Sequence, residues 1–471
     1  MQHSRRIARL ALPVLPLFYI SVFLYSCSDD SAEKTPQTPP TTTPANPIPD
    51  TPDPNTDIKE LDACTPKVSY GYTDQVSYMP SEKVTVYLHT ATPTTACRLN
   101  VYSVTEDSVF SVKSSLTTQT ITTSDPSIDG FGFSPTVEME IPSSVPSGLY
   151  MIENKIPFIV KPKGPVDLLI VYPSNTANAY EQSGGKSLYT SNKGPMVSFH
   201  RPIALQPFSK ICLQWFYNQK DVSIGYIADV DLDEYENISE AKILVIVGHN
   251  EYWTRKAREN FDAFIDNGHD ALILSGNTMW WQVRYSDDKS QLICYKSDSD
   301  PVATTSLKTI LWNNPSLDYP IISSIGADFD LGGYGLKSDL GWNGYKIMKP
   351  ASPLFEGTGL QKGDIISLPT TECDGAPLAG FDIDNYPILD RERLQADQAE
   401  IIAFDRGFRN ADTYPTMLVY RRSKSSGTII NTGTTDWCSS NGMGGASGTT
   451  IKKITANAIH KLLNRQSVFI Q

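Results

Sequence analysis

Two apolar runs, ILVIVG at 243–248 and DALILSG at 270–276, break off abruptly into polar and aromatic residues. His249-Asn250-Glu251-Tyr252-Trp253 follows the first, and Asn277-Thr278-Met279-Trp280-Trp281 follows the second. An apolar run of this length without alternation is how a strand reads when helices cover both faces of a parallel sheet. In such sheets ligands bind in the crevice outside the carboxyl ends of the strands. Gly248, His249, Glu251, Tyr252, Asn277 and Trp280 are therefore the first candidates for a site, with Arg284 further along the second segment.

The rest of the chain divides into two patterns. Over residues 61–163, KVTVYLHT (83–90), CRLNVYSV (97–104), PTVEMEI (135–141) and SGLYMIENKIPFIVK (147–161) alternate or are β-branched, with Ser, Thr, Pro and Gly between them. This predicts a β-sandwich, immunoglobulin-like in type. From residue 164 strands and helices alternate. DLLIVYP (167–173), SIGYIADVDL (223–232), ILVIVG and ALILSG read as strands, and a helical segment lies near 208–218. After Trp253, residues Ala257, Phe261, Phe264 and Ile265 fall at helical spacing and Asn267-Gly268 stop the helix. The expected fold class is α/β: the sandwich, then a parallel three-layer domain of the glutamine-amidotransferase-like, flavodoxin-like kind over 164–471. Between about 285 and 350 the pattern dissolves into Gly, Asp, Tyr and Trp, as an insertion over the site would. EIIAFD (400–405), MLVYRR (417–422) and GTIINTG (427–433) return to strands, and a C-terminal helix carries Ile451, Ile454, Ala458, Ile459, Leu462 and Leu463 on one face.

Ahead of both parts, Arg5, Arg6 and Arg9 precede an apolar run from about Leu10 to Leu24, then LYSC at 24–27. This is a signal-peptide pattern. It resembles the bacterial lipobox, which makes 1–27 the expected signal segment and Cys27 the expected lipidated residue and membrane anchor. The SDD that follows resembles the surface-export signal of Bacteroidota lipoproteins, implying a cell-envelope protein anchored to the outer membrane and facing outward. The Pro/Thr-rich stretch 28–60 cannot build a core and is expected to be an extended tether. No other apolar stretch approaches the roughly 18 residues of a membrane span.

With 40 Lys and Arg against 52 Asp and Glu, the net charge of −12 argues against nucleic-acid binding. Cys64 and Cys97, both in the first folded segment, are the one pair expected to bridge, and no cysteine or histidine cluster has zinc spacing. SGGKS (183–187) is not a phosphate loop, because Tyr180 stands where that motif needs its first glycine. Asp229, Asp231, Asp233 and Glu240 imitate a calcium loop, but Glu234 replaces the turn glycine, so a solvated acidic loop is expected. An amidotransferase-type thiol would sit in the turn after ILVIVG, which holds no Cys or Ser. Ser275 does not lie in a nucleophile elbow.

Several segments in order, AYEQSGGKSLY (179–189), SFHRP (198–202), VGHNEYWT (247–254), LSGNTMWWQVR (274–284), LFEGTGLQKGD (354–364), ECDG (372–375) and NTGTTDW (431–437), resemble the large (beta) subunit family of N,N-dimethylformamidase. The resemblance implies hydrolysis of a C–N amide bond with a mononuclear ferric ion, Fe(III), held by two tyrosines and a glutamate. Phenolate and carboxylate are hard oxygen donors suited to such an ion, which would polarise an amide carbonyl and activate water. Carried onto this chain, it implies Tyr252 as one ligand and Glu372 as the carboxylate, with Tyr226 or Tyr189 as the second tyrosine. His249 and Glu251 could then orient water or take a proton, while Asn277, Trp280 and Arg284 line the substrate pocket. Asp436-Trp437 is expected to form a structural corner.

Three functions stand as alternatives: an envelope amide hydrolase, a non-catalytic surface lipoprotein binding a glycan or peptide through the aromatic crevice, and a glycan-cleaving enzyme that pairs Glu251 with another carboxylate.

Overall fold

A computed structural model describes residues 56–189 and 192–470. The signal segment, Cys27 and most of the tether lie outside the described residues. Two antiparallel sheets come first. Val68–Thr73, Lys83–Thr90 and Val137–Glu140 form one; Ser77–Tyr78, Ile156–Val160, Gly148–Ile152, Thr94–Ser103 and Ser108–Leu116 form the other, in that order, with only the short first strand running parallel to its neighbour. Alternation in KVTVYLHT puts Val84, Val86 and Leu88 inward, where they share a core with Leu99, Val101, Ile152, Phe158 and Val160. The stretch 147–161, read as β from its sequence, is a hairpin of Gly148–Ile152 and Ile156–Val160. Glu153 and Asn154 both take left-handed φ values, 52° and 55°, and turn the chain without a glycine to announce it.

Cys64 and Cys97 are bonded, as expected from the sequence. Their separation of 33 residues sets the size of the closed loop. Opening a loop of that size is expected to destabilise the sandwich by roughly 3–4 kcal/mol, read as a lowered denaturant midpoint for Cys64→Ser/Cys97→Ser.

The second part is a nine-stranded mixed sheet. Ile224–Ala228, Leu168–Tyr172, Ile243–His249, Asp270–Gly276 and Ile429–Asn431 are parallel neighbours in that order. Every residue of the two strands that carry the apolar runs is buried. Helices Lys210–Tyr217 and Gly448–Leu463 cover one face through Leu213, Phe216, Ile451 and Ile454. Helix Arg255–Asp266 covers the other through Phe261, Phe264 and Ile265, and Thr254 caps it by accepting from Ala257 N.

The expectation of a parallel sheet holds for those five strands only. Thr416–Arg421, Gln398–Phe404, Gly344–Ile347 and Ile365–Ser367 extend the sheet antiparallel; a short loop joins Thr416–Arg421 to Ile429–Asn431, whereas residues 348–397 run between Gly344–Ile347 and Gln398–Phe404. Gly344–Ile347 also belongs to this sheet, so the irregular insertion ends before residue 344. The molecule is thus mixed α/β, richer in strand than in helix. Asp231 ties its two parts together, accepting from Ser77 Oγ at 3.0 Å and pairing with Lys161 at 3.2 Å. Among the described residues no helix is long and apolar enough to cross a membrane.

Asp229 and Asp231 are buried, not solvated. The acidic run follows the end of the edge strand Ile224–Ala228, beside the buried N-terminus of helix Ser174–Tyr180, whose N–H groups need acceptors. Asp229 Oδ2 supplies one, accepting from Asn175 N at 2.7 Å and Ser174 Oγ at 3.4 Å. Burial lifts its carboxyl to about 7. An unfolded aspartate titrates near 3.9, so its contribution to stability is complete below about pH 4 and is lost as pH rises through about 7. Asn250 Nδ2 faces Asp229 Oδ1 at 3.3 Å, and the other amide atom, Asn250 Oδ1, has no partner. A flip of that amide would satisfy an Asn at position 229. Asp229→Asn is therefore expected to fold and to flatten the fall in melting temperature between pH 5 and pH 8. Asp374, also lifted to about 7 by burial, keeps part of the slope.

Candidate functional site

Where Ile243–His249 and Asp270–Gly276 end, four chain segments meet. His249 and Glu251 leave the first strand, and Glu251 N is fixed by Thr176 Oγ1 at 2.9 Å. After the second, Asn277 takes a left-handed φ of 50°. Asp374 makes that turn possible, its two oxygens accepting from Asn277 N at 2.9 Å and Thr278 N at 3.2 Å. The 372–375 segment crosses directly over Gly276, where an added Cβ would lie 2.8 Å from the Glu372 carbonyl oxygen and 2.5 Å from Thr435 N. That close approach brings Glu372 in beside His249.

The result is a buried cluster of two carboxylates and an imidazole. His249 Nε2 lies 3.1 Å from Glu372 Oε2 and 3.4 Å from Glu251 Oε2. Neither contact is a well-directed hydrogen bond, so the nitrogen is held by charge without a directed partner. Glu372 Oε2 also accepts from Asn277 Nδ2 at 3.0 Å, while Asn277 Oδ1 has no partner. Glu251 Oε2 accepts from Tyr180 Oη at 2.8 Å. Two buried polar atoms without a directed hydrogen bond, on two residues that both contact Glu372 Oε2, are unusual in a folded interior and call for an explanation such as a ligand that completes the set.

The two carboxylates are driven in opposite directions. Burial lifts Glu251 above its ordinary value despite His249 and Lys296 nearby. Burial acts on Glu372 as well, but His249 and Asn277 outweigh it and hold that carboxyl below its ordinary range. His249 is raised: burial disfavours the imidazolium, yet Glu372, Glu251 and Asp374 more than compensate. Glu372 and His249 therefore form the ion pair and Glu251 is the group poised to carry a proton, the division of labour that acid–base chemistry needs.

Aromatic side chains line the approach. Tyr180, at the end of its helix, stacks on Tyr189 with ring centroids 4.6 Å apart and meets Tyr252 edge-on at 6.4 Å. Tyr252 is fully buried, and its hydroxyl accepts from Lys296 Nζ at 2.7 Å. Lys296 also lies 4.5 Å from the Trp281 ring. Burial above all, with Glu251 adding to it, pushes the Tyr180 and Tyr252 phenols well above 10.

The structure thus brings together His249, Glu251, Tyr252, Asn277 and Glu372, with Tyr189 at the edge. Trp280 packs beside them on Phe329. Two expected residues lie elsewhere. Tyr226 sits on the edge strand facing Cys212, Tyr150 and Tyr217, its hydroxyl unpartnered, and is not a companion of the carboxylates. Alternation along Ile224–Ala228 turns that position into the helix-covered core. Arg284 is held by Asp300 at 2.7 and 3.0 Å and by the Leu307 carbonyl within the insertion, so it does not line this pocket. Tyr180 and Lys296 were not singled out by sequence. Tyr180 had a signal, since it lies in one of the segments that carry the family resemblance. Lys296 had none, being in the irregular insertion. Asp436 accepts from Thr371 N, Ser439 Oγ and Asn441 Nδ2, and Trp437 Nε1 donates to Thr455, a structural corner.

The donors can be weighed against a ferric ion. Among the described residues, no group of three His, Cys, Asp or Glu side chains is placed to hold a metal. What converges is oxygen: a Tyr180 phenol already in contact with Glu251, Glu372 one imidazole away, and the Tyr189 and Tyr252 rings beside them. All are hard donors and none is a thiol, which fits Fe(III) better than a softer ion.

No curated protein matches the sequence. Among solved structures, a ThuA-like protein from Bacteroides uniformis is similar at 10% identity over 66% of this chain and 97% of that one, with a TM-score of 0.33. The mmIFT52 N-terminal domain is similar at 11% identity over 62% and 96%, with a TM-score of 0.27. Residues 94–446 match the family described as N,N-dimethylformamidase beta subunit-like, C-terminal. That match spans most of the chain and runs through every segment of the site, and the protein belongs to this family.

Proposed function

We propose that the protein hydrolyses a C–N amide bond at the His249–Glu251–Glu372 cluster. The observation that carries this reading is the pair of carboxylates pushed in opposite directions around one unsatisfied imidazole nitrogen. Glu251, its proton affinity raised by burial, takes the proton from an attacking water and returns it to the leaving amine. Glu372 keeps His249 charged, and the Nε2–H, free of a directed bond, stabilises negative charge as it forms on the amide oxygen. Asn277 and Asp374 hold Glu372 and the 277–278 turn in register. Tyr180 and Tyr189 wall the pocket and limit water.

The reading includes a mononuclear ferric ion, with Glu372 and Tyr180 as its first donors and Tyr189 or Tyr252 completing them. When bound it would supply Lewis-acid polarisation of the amide carbonyl. The reading also includes the immunoglobulin-like and flavodoxin-like character of the two parts, divided near residue 164, and lipid anchoring through Cys27 at the outer membrane.

Protein from iron-replete cells should contain about one iron per chain and release amine from simple N-alkyl formamides and acetamides. A tyrosinate-to-iron charge-transfer band in the visible should be lost in Tyr180→Phe. Amine release by a colourless, iron-free protein would remove the metal and leave the acid–base assignment. A coloured protein without amine release, but with affinity for glycans or peptides, would favour a binding role in the aromatic crevice.

A further inference from the structure

A guanidinium at the mouth of the site is held in place on three sides and open on the fourth. Arg409 lies in the tight loop between Gly407–Phe408 and Asp412–Thr413, its N donating to Ala411 O at 2.9 Å. The guanidinium carbon sits 4.8 Å from the Phe329 ring centroid and 5.4 Å from that of Trp280. Nε pairs with Asp330 Oδ1 at 3.2 Å. Among the described residues no acceptor takes either terminal nitrogen.

The backbone around it is locked to the catalytic segment. Gly333, at φ 74°, passes so close that an added Cβ would lie 2.8 Å from Arg409 Cβ and 2.5 Å from the Phe408 carbonyl oxygen. The Gly333 carbonyl in turn accepts from Cys373 Sγ at 3.2 Å, and Cys373 follows Glu372. Arg409 is thus two contacts from the carboxylate cluster without being paired to it. Its charge adds to that of His249 and to the Asn277 hydrogen bond in holding Glu372 down against the effect of burial. Nearby, Lys337 Nζ lies 4.3 Å from the Tyr334 ring, a second cation on the same rim.

The two rings and the Asp330 contact hold the guanidinium in place, so the fork loses little freedom when a ligand fills it. A planar fork of two N–H donors matches a carboxylate bidentately. Glu372 is already compensated by His249, and Glu251 is engaged by Tyr180, so neither competes for it. The cationic rim on a chain of net charge −12 points the same way. We infer that the substrate of this site is an amide that also carries a carboxylate, an N-acyl amino acid in class, with Arg409 binding the carboxylate while the amide reaches the His249–Glu251–Glu372 cluster. This rests on the amide-hydrolase reading and names its substrate.

N-acetylglycine and N-isobutylacetamide are nearly isosteric and differ in the charge, so the ratio of their kcat/KM values reads the inference directly. The full chain should favour N-acetylglycine. Arg409→Gln should lower that ratio by about 10- to 100-fold, the range for losing charge-assisted hydrogen bonds, mainly through KM. Arg409→Lys, which keeps charge but not the fork, should fall between and guards against a folding defect in the first variant. A preference for the neutral amide, or a ratio that Arg409→Gln leaves unchanged, overturns the inference. If neither compound is hydrolysed, the hydrolase reading fails for them, and calorimetric binding of N-acetylglycine decides the rest. Binding that weakens tenfold or more in Arg409→Gln upholds the carboxylate site; equal or absent binding rejects it.

Discussion

Glu251→Gln is expected to lower kcat/KM for amide hydrolysis by roughly 10²–10⁴-fold, the range for removing a general acid–base group, while the melting temperature stays within a few degrees. The asymmetry arises from the surroundings. Glutamine matches glutamate in size, and its carbonyl oxygen can still accept from Tyr180 Oη, which now donates to Oε2 at 2.8 Å. The Glu251 backbone N–H still donates to Thr176. Replacing a desolvated carboxyl by a neutral amide also removes part of the burial cost that raises its pKa. Packing is therefore retained and only the proton carrier is lost. Metal content measured on the same preparation tells the assigned role from its rival: unchanged iron with lost turnover isolates the acid–base step, whereas lost iron with lost turnover marks Glu251 as a ligand instead. Activity within about threefold of the parent would transfer the proton role to Glu372, since a true general base contributes at least about 10²-fold.

Why sequence led to this residue and not to its partners has a physical explanation. Glu251, His249 and Asn277 could be found because a strand buried on both faces leaves only the residues just past its end free to act, and two adjacent strands end in the same crevice. Glu372 was reached through the family resemblance, and its position depends on a close backbone crossing over Gly276 that no periodicity records. Tyr180 acts from the last residue of a seven-residue helix, too short to show amphipathic spacing. The acidic run at 229–233 reads as surface because charge density usually means solvent; here it caps a helix that begins 55 residues earlier. Tyr226 was misplaced because a strand offers two faces and sequence alone does not say which one meets the site.

Arg201→Met is expected to be the most destabilising single change near the site, by about 3–5 kcal/mol, the usual cost of breaking a buried charged network. Arg201 is fully buried with no carboxylate bonded to it. Its guanidinium is instead wrapped in amide oxygens. Nε donates to Ser198 O at 3.1 Å and Asn178 Oδ1 at 3.2 Å, Nη1 to Ser183 O at 2.7 Å and Lys186 O at 2.9 Å, and Nη2 to Asn178 O at 2.7 Å and Asn178 Oδ1 at 3.0 Å. Burial lowers its affinity for the proton, to about 10, but leaves it charged at neutral pH. Methionine fills the space and strands those four backbone carbonyls, together with Asn178 Oδ1, in the interior. Three of them belong to residues 178–186, between Tyr180 and Tyr189 or at their flanks, so the same substitution loosens the aromatic wall of the site. Arg201→Lys should recover less than half of the loss, because one ammonium offers three donors at a point where a fixed fork of five spans the loop. The measurement is a pair of denaturation curves with kcat/KM at a temperature where each variant is folded. A folded Arg201→Lys with impaired turnover would show that this buried arginine, remote from Glu251 in sequence, sets where Tyr180 meets it. Loss of less than about 1 kcal/mol in Arg201→Met, the worth of one ordinary hydrogen bond, would mean that water reaches the stranded carbonyls and that the 178–189 segment is held by its other contacts.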